Sequence, residues 1–457
     1  MPVYSNLITA PAHGYAKRWL GALAGAILLL SAAPAWSVPA FAREMGVPCA
    51  VCHTVAFGPA LTAFGRNFKL HAYSLGTQKT IPISADMVAS FTHTAEGLPA
   101  PEHFSDNNNV AIDNVDLFLA GRIADHFGAF IQVTYDGIAR HTAWNNFDTR
   151  WAQDFAPGGV STLLGVSVNN SPTVQDPWNS TPVWQFPFPF ARFSNGPAQP
   201  QINAAFAQSI LGATLYTLVD DTLYLEAGGY RALSHGLQND LGIQDPSSQR
   251  QLDGTAPYWR AALQRSFGAH YASVGIFGFA PHARLPTTED VGTDNYTDLG
   301  YDATYQFNDG GPHTFNANAS YIHEKQRLFG TAALNGSGIV ANHLNTLRID
   351  GQYVYQQTYA LTLAYFESGG NTNPAVYAPN PFFGSATGSP DSRGYVLQLE
   401  YIPFGKPGSY ASPWLNLRVG LQYTGFLRLN GGTDNYDGFG HSAHDNNTLF
   451  LYLWTAI

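Results

Sequence analysis

The chain has 457 residues, 45% hydrophobic and 12% charged, with 22 Lys and Arg against 32 Asp and Glu for a net charge of −10. That charged fraction is about half the ~25% of ordinary soluble domains, which argues against a cytosolic enzyme. The acidic balance argues against nucleic acid as a partner, and 2 Cys cannot staple a disulfide scaffold. Beyond residue 40 no apolar run reaches the roughly 18 residues of a membrane helix, whereas 9 Trp, 24 Tyr, 29 Phe and 45 Gly point to an aromatic-rich β protein of the outer-membrane barrel class.

Lys17 and Arg18 precede an apolar stretch at 19–30 and then small residues ending in Ala33-Pro34-Ala35. A basic region, a short apolar core and a small-x-small site predict a signal peptide over 1–35. The alternative cut follows Ala42 in Ala40-Phe41-Ala42. An uncleaved anchor is the competing reading, but the stretch is shorter than the about 20 residues a span needs.

Cys49-Ala50-Val51-Cys52-His53 has the C-x-x-C-H spacing of c-type haem attachment. Two thiols three positions apart can each join one vinyl group of the same haem, and the adjacent imidazole then faces the iron. His53 is thus the expected proximal ligand, and both cysteines of the chain are used. A redox dithiol would sit beside a βαβ pattern, which is absent. A zinc site would need a second ligand pair, also absent, and a simple disulfide between the two cysteines is the remaining alternative. The sequence therefore predicts one covalently attached haem c on Cys49 and Cys52.

Gly58-Pro59 is expected to open a helix over 59–73 closed by Gly76. On it Leu61, Phe64, Phe68 and His71 share a face suited to the porphyrin. His71 is a candidate distal iron ligand, and Met87 is the alternative. Met45 and an open sixth position also remain. Arg66 and Lys69 are candidates for the haem propionates, with solvated helix-surface charge as the preferred reading.

After residue 80 the pattern changes to period two. Leu223, Leu225 and Ala227, for example, alternate with Thr222, Tyr224 and Glu226, as along a strand with two unlike faces. Sixteen strands are predicted: 81–92, 110–123, 128–136, 145–153, 160–169, 206–219, 222–232, 255–266, 270–280, 295–307, 313–324, 343–355, 358–368, 393–404, 413–426 and 445–455. Short connections such as 220–221 and 356–357 alternate with long ones such as 170–205 and 427–444. That is the asymmetry of outer-membrane barrels, with short periplasmic turns and long outer loops. A soluble propeller or sandwich is the competing fold. The expected fold class is an all-β transmembrane barrel of about 16 antiparallel strands. A 16-stranded barrel has an open lumen, and 36–80 is too short for a core of its own. This short N-terminal α-helical cytochrome segment is therefore expected to dock in or on the lumen, entering from the periplasmic side.

Phe41-Ala42-Arg43, the C-x-x-C-H motif and Phe64-Gly65-Arg66-Asn67-Phe68-Lys69-Leu70 resemble the fused monohaem cytochrome–porins, the outer-membrane iron oxidases of Fe(II)-oxidising bacteria. Asp176-Pro177-Trp178-Asn179-Ser180-Thr181-Pro182-Val183-Trp184 is a weaker point of similarity. The order of signal peptide (1–35), haem segment (36–80) and barrel (81–457) covers the whole chain. The resemblance implies electron transfer from extracellular Fe(II) through the haem to a periplasmic cytochrome c, in the lipid bilayer of the outer membrane. No catalytic acid, base or nucleophile is needed for that chemistry. Glu96, Asp106 and Asp113 could attract the cation, with solvated loop charge as the bland alternative. A conduit for another donor or acceptor, and a diffusion porin with an accessory haem, remain alternative functions.

Overall fold

The computed structural model describes residues 39–76, 82–181, 187–412 and 414–457. The expected signal peptide lies outside them, and the alternative cut after Ala42 would fall inside the first helix.

Among the described residues, sixteen antiparallel strands close on themselves. They are β1 Ile83–Thr94, β2 Asn109–Ala124, β3 Phe127–Asp136, β4 His141–Phe155, β5 Thr162–Asn169, β6 Ile210–Val219 and β7 Leu223–Ala232. β8 runs as Gln251–Asp253 and Thr255–Phe267, and β9 as His270–Phe279 and His282–Arg284, each briefly interrupted. β10 Thr293–Asn308, β11 His313–Leu328, β12 Ala341–Tyr355, β13 Tyr359–Gly370, β14 Ser392–Tyr401, β15 Asn416–Arg428 and β16 Thr448–Ala456 complete the wall. Each strand pairs with its sequence neighbour, and β1 closes on β16 from Asp86↔Ala456 to Thr94↔Thr448.

The alternation read from the sequence is the two faces of this wall. On β16, Leu449, Leu451 and Leu453 point outward while Phe450, Tyr452 and Trp454 are buried. On β14 the outward row is Arg393, Tyr395, Leu397, Leu399 and Tyr401, against inward Gln398 and Glu400. Apolar rows outside, with polar groups such as Gln398 and Glu400 on the inner face, reverse the pattern of a water-soluble barrel and match one whose solvent is lipid. The closed sheet leaves no edge with unpaired backbone groups.

Residues 39–76 lie inside the lumen, at the end carrying the short turns. They form α1 Pro39–Met45, α2 Cys49–Cys52 and α3 Ala63–Leu70. Their bonds reach around the wall. Arg66 Nη2 donates to Gln306 of β10 at 2.8 Å, Tyr73 to Asp148 of β4 at 2.6 Å, and Thr54 to Gln352 of β12 at 3.3 Å. The Tyr216 hydroxyl of β6 donates to the Leu70 carbonyl at 2.6 Å.

Two expectations need correction. The helix begins at Ala63 and not at residue 59, because Thr62 caps it, its hydroxyl accepting from Gly65 N at 3.1 Å. It ends at His71 and not near Gly76, because Ala72 and Tyr73 take left-handed backbone angles. The connection 170–209 is not simply an outer loop. Its described parts fold back into the lumen, where Val174, Gln175, Asp176, Trp178, Ile202 and Phe206 are buried.

Candidate functional site

Cys49, Cys52 and His53 sit on one helical turn. α2 closes with the His53 amide donating to the Cys49 carbonyl at 3.0 Å. Both thiols are free and buried. Burial pushes the Cys49 thiol up to about 11 and the Cys52 thiol up to about 12, the neighbouring Cys49 adding to the latter. Asn416 Nδ2 lies 3.4 Å from Cys49 Sγ.

The turn faces a cavity with about 1130 Å³ of empty space, mouth included, bounded by plug, wall and returning loop. Its apolar rim includes Phe41, Phe57, Phe68, Phe118, Phe130 and Trp454. Phe57 and Trp454 rings pack with centroids 4.6 Å apart, and Phe118 and Phe130 at 5.6 Å. α3 lies directly against the Cys49–His53 turn. The Thr62 amide donates to the Cys52 carbonyl at 2.9 Å and the Thr62 hydroxyl to the Val51 carbonyl at 2.6 Å.

The His53 ring lines the cavity, and its Nδ1 is buried without a hydrogen-bond partner. Desolvation, with the Arg418 charge acting in the same direction, pulls the imidazole down to about 4, against a weaker opposing effect of the Gly58 backbone. The ring is therefore neutral near pH 7, the form that ligates metal. Paired free thiols, a neutral imidazole and a largely aromatic cleft on one side of a single turn fit a thioether-linked haem.

Arg418 fixes this arrangement. It pairs with Glu400 at 3.1 Å and donates to the Val55 carbonyl at 3.0 Å and to the Phe57 carbonyl. Its guanidinium lies against the packed Phe57–Trp454 pair, 4.9 and 5.0 Å from their centroids.

The cavity face of α3 differs from the one the spacing suggested. Gly65, Phe68 and Lys69, with Leu61 just before the helix, line it. Phe64 does not and is 39% exposed. His71 is turned to the wall, with Nδ1 2.8 Å from the Asn67 carbonyl and Nε2 3.3 Å from Asp154. Met87 projects from the outward row of β1. The structure thus brings Cys49, Cys52 and His53 together and brings neither His71 nor Met87 to the cavity.

Arg66 and Lys69 are not helix-surface charges. Arg66 is buried, with its guanidinium 3.9 Å from the Tyr271 ring centroid. Lys69 donates to the Val174 carbonyl of the returning loop, and desolvation lowers its ammonium to about 8. Sequence reasoning missed Trp454, Phe118 and Asp86 as cavity residues. Each lies on an inward row, where the alternation marks the face but not its depth in the barrel. It also missed the organising role of Asp176, which accepts from the Trp178 amide at 2.9 Å and the Ser180 amide at 2.7 Å, and faces Arg260 at 3.7 Å.

Comparison of the chain with protein-family models and with curated proteins gives no match. Among solved structures it is similar to the outer membrane channel DcaP of Acinetobacter baumannii, at 12% identity and TM-score 0.45, covering 82% of this chain and 96% of that one. It is also similar to OmpT of Vibrio cholerae, at 10% identity and TM-score 0.43, covering 83% and 99%. An anion-selective porin from Comamonas acidovorans aligns at 10% identity and TM-score 0.42, covering 82% and 98%. The functional reading below rests on this chain's own residues.

Proposed function

We propose that the chain is an outer-membrane barrel carrying one haem c in its plug, and that it takes electrons from extracellular Fe(II) and passes them to a periplasmic cytochrome c. The observation that carries the reading is the placement of Cys49, Cys52 and His53 on one turn against an aromatic cavity inside the lumen. The outward apolar rows support a membrane location, and the plug's position at the short-turn end supports its entry from the periplasm.

Cys49 and Cys52 would hold the group and His53 would offer its imidazole to the iron. When bound, the haem supplies one-electron exchange without acid–base chemistry. The chain's own residues do the rest. Phe57, Phe118 and Trp454 exclude water, which with the axial ligand sets the potential. Arg418 and Thr62 fix the turn that bears the thiols. Fe(III) precipitates as oxide near neutral pH, so keeping the oxidation outside an insulating layer about 30 Å thick protects the cell. The resemblance to the cytochrome–porins agrees with this reading.

The test is optical. Full-length protein purified from cells that mature c-type cytochromes should show a haem α-band that develops promptly on addition of Fe(II). Coloured protein unresponsive to Fe(II), but reduced by another donor, would overturn the iron assignment while leaving the haem. A second reading, a diffusion porin, is favoured by the open vestibule of about 2140 Å³ on the long-loop side. It requires solute conductance past the plug in planar bilayers.

A further inference from the structure

The lumen wall carries many buried carboxylates, and nearly all have an evident partner. Asp148 pairs with Arg150 at 2.8 Å, Asp302 with Arg260 at 2.5 Å, and Glu400 with Arg418. Asp298 and Glu324 face each other across β10 and β11, but they accept the loop amides of Ile202 at 2.7 Å and Gln201 at 2.6 Å.

Three carboxylates on β1 and β2 differ. Asp86 stands directly opposite Asp116 in the strand register. One step towards the long loops, Asp113 accepts from Ser90 at 2.9 Å. Among the described residues none of the three enters an ion pair. Asp116 is satisfied by Gln132 at 2.8 Å, Thr134 and Asn114. Asp86 Oδ1 and Asp113 Oδ2 are buried without a geometric hydrogen bond, the Asp86 carboxyl otherwise facing Asp116 and the Trp454 indole, in residues 6% and 3% exposed. Asp113 and Asp116 line the vestibule, and Asp86 lines the aromatic cavity. Like charges so placed repel, and burial without a counter-charge is costly.

We propose that Asp113, Asp116 and Asp86 form a column that holds a hydrated divalent cation and leads it from the vestibule to the edge of the aromatic cavity. This rests on the reading that the donor is a metal ion arriving from the long-loop side. Among the described residues no three ligand-type side chains converge on one point. The ion therefore keeps part of its water shell, as divalent ions with few protein ligands do.

The test uses Mn(II) alone with the full-length protein in detergent, following the free-ion signal by electron paramagnetic resonance. Wild type should remove Mn(II) from solution. Asp113→Asn and Asp86→Asn should each weaken uptake about tenfold. Asp113→Glu should retain it, and Glu289→Gln on an exposed loop should change nothing. Heat-modifiable gel mobility shows which variants keep the barrel. Equal uptake by wild type and a folded Asp→Asn variant, or none by wild type, overturns the column. Mn(II) uptake with a haem indifferent to Fe(II) would sink the iron-oxidation reading and leave the column standing. Prompt reduction by Fe(II) with unchanged Mn(II) uptake in the variants would do the reverse.

Discussion

A side-chain carbon added to Gly65 would stand 2.1 Å from the carbonyl oxygen of Cys52. The obstacle is backbone, which cannot swing aside as a side-chain tip would. Gly65 thus sets how closely α3 approaches the turn that bears the two thiols. Gly65→Ala should push the helix outward at a cost of about 1–3 kcal/mol or more. The expected result is a lower haem-to-protein ratio in purified protein, with the barrel still folded by its gel mobility.

Arg418 ties the wall to the plug through Glu400 and the carbonyls of Val55 and Phe57. Replacing it with Met leaves a buried carboxylate without its cation, a change that costs about 3–5 kcal/mol in comparable settings. The plug should loosen before the hydrogen-bonded wall does. Arg418→Met is expected to raise single-channel conductance in planar bilayers, and Arg418→Met with Glu400→Gln to raise it less.

Acid should act on the plug of the haem-free chain through His53. Its value falls from an ordinary 6.5 to about 4 in the folded state. The unfolded ring binds a proton first, so the folded plug keeps its full stability above about pH 6.5 and loses it as the pH falls towards 4. The shift sets an upper bound of about 3 kcal/mol, reduced to the extent that the cavity is wet. Hydrogen exchange of residues 49–73 should therefore accelerate across that window in wild type and much less in His53→Phe.

The outward rows make a prediction about lipid. Leu397 lies mid-strand on the exposed face of β14, between Tyr395 and Leu399. Leu397→Arg should destabilise the inserted barrel by about 2–4 kcal/mol, read as a lower urea midpoint in phospholipid vesicles.

The wall was legible because a strand has a period of two and a lipid-facing barrel gives its faces opposite polarity. Each of the sixteen predicted segments overlaps a strand, and the ends differ by a few residues where pairing extends into the loops, as at β11. The C-x-x-C-H spacing is local in sequence, and its three residues do share one turn facing the cavity. What was hidden depends on contacts distant in sequence. Thr62 is a capping residue type, but Pro59 offers a competing start, and only the folded contact of Thr62 with Val51 decides between them. The composition of 170–209 does not say on which side of the wall the segment lies, so Trp178 bonded to Tyr271 at 2.8 Å inside the lumen was not foreseeable. The spacing of His71 matched a porphyrin-facing row only for a helix of the wrong start and rotation.

The central claim is that one haem c is joined to Cys49 and Cys52. The most direct measurement is the pyridine haemochrome spectrum of acid–acetone-extracted full-length protein, from cells that mature c-type cytochromes. The account predicts one haem per chain that resists extraction and is lost in Cys49→Ala with Cys52→Ala. A colourless wild-type protein, or a haem that washes out, would contradict it.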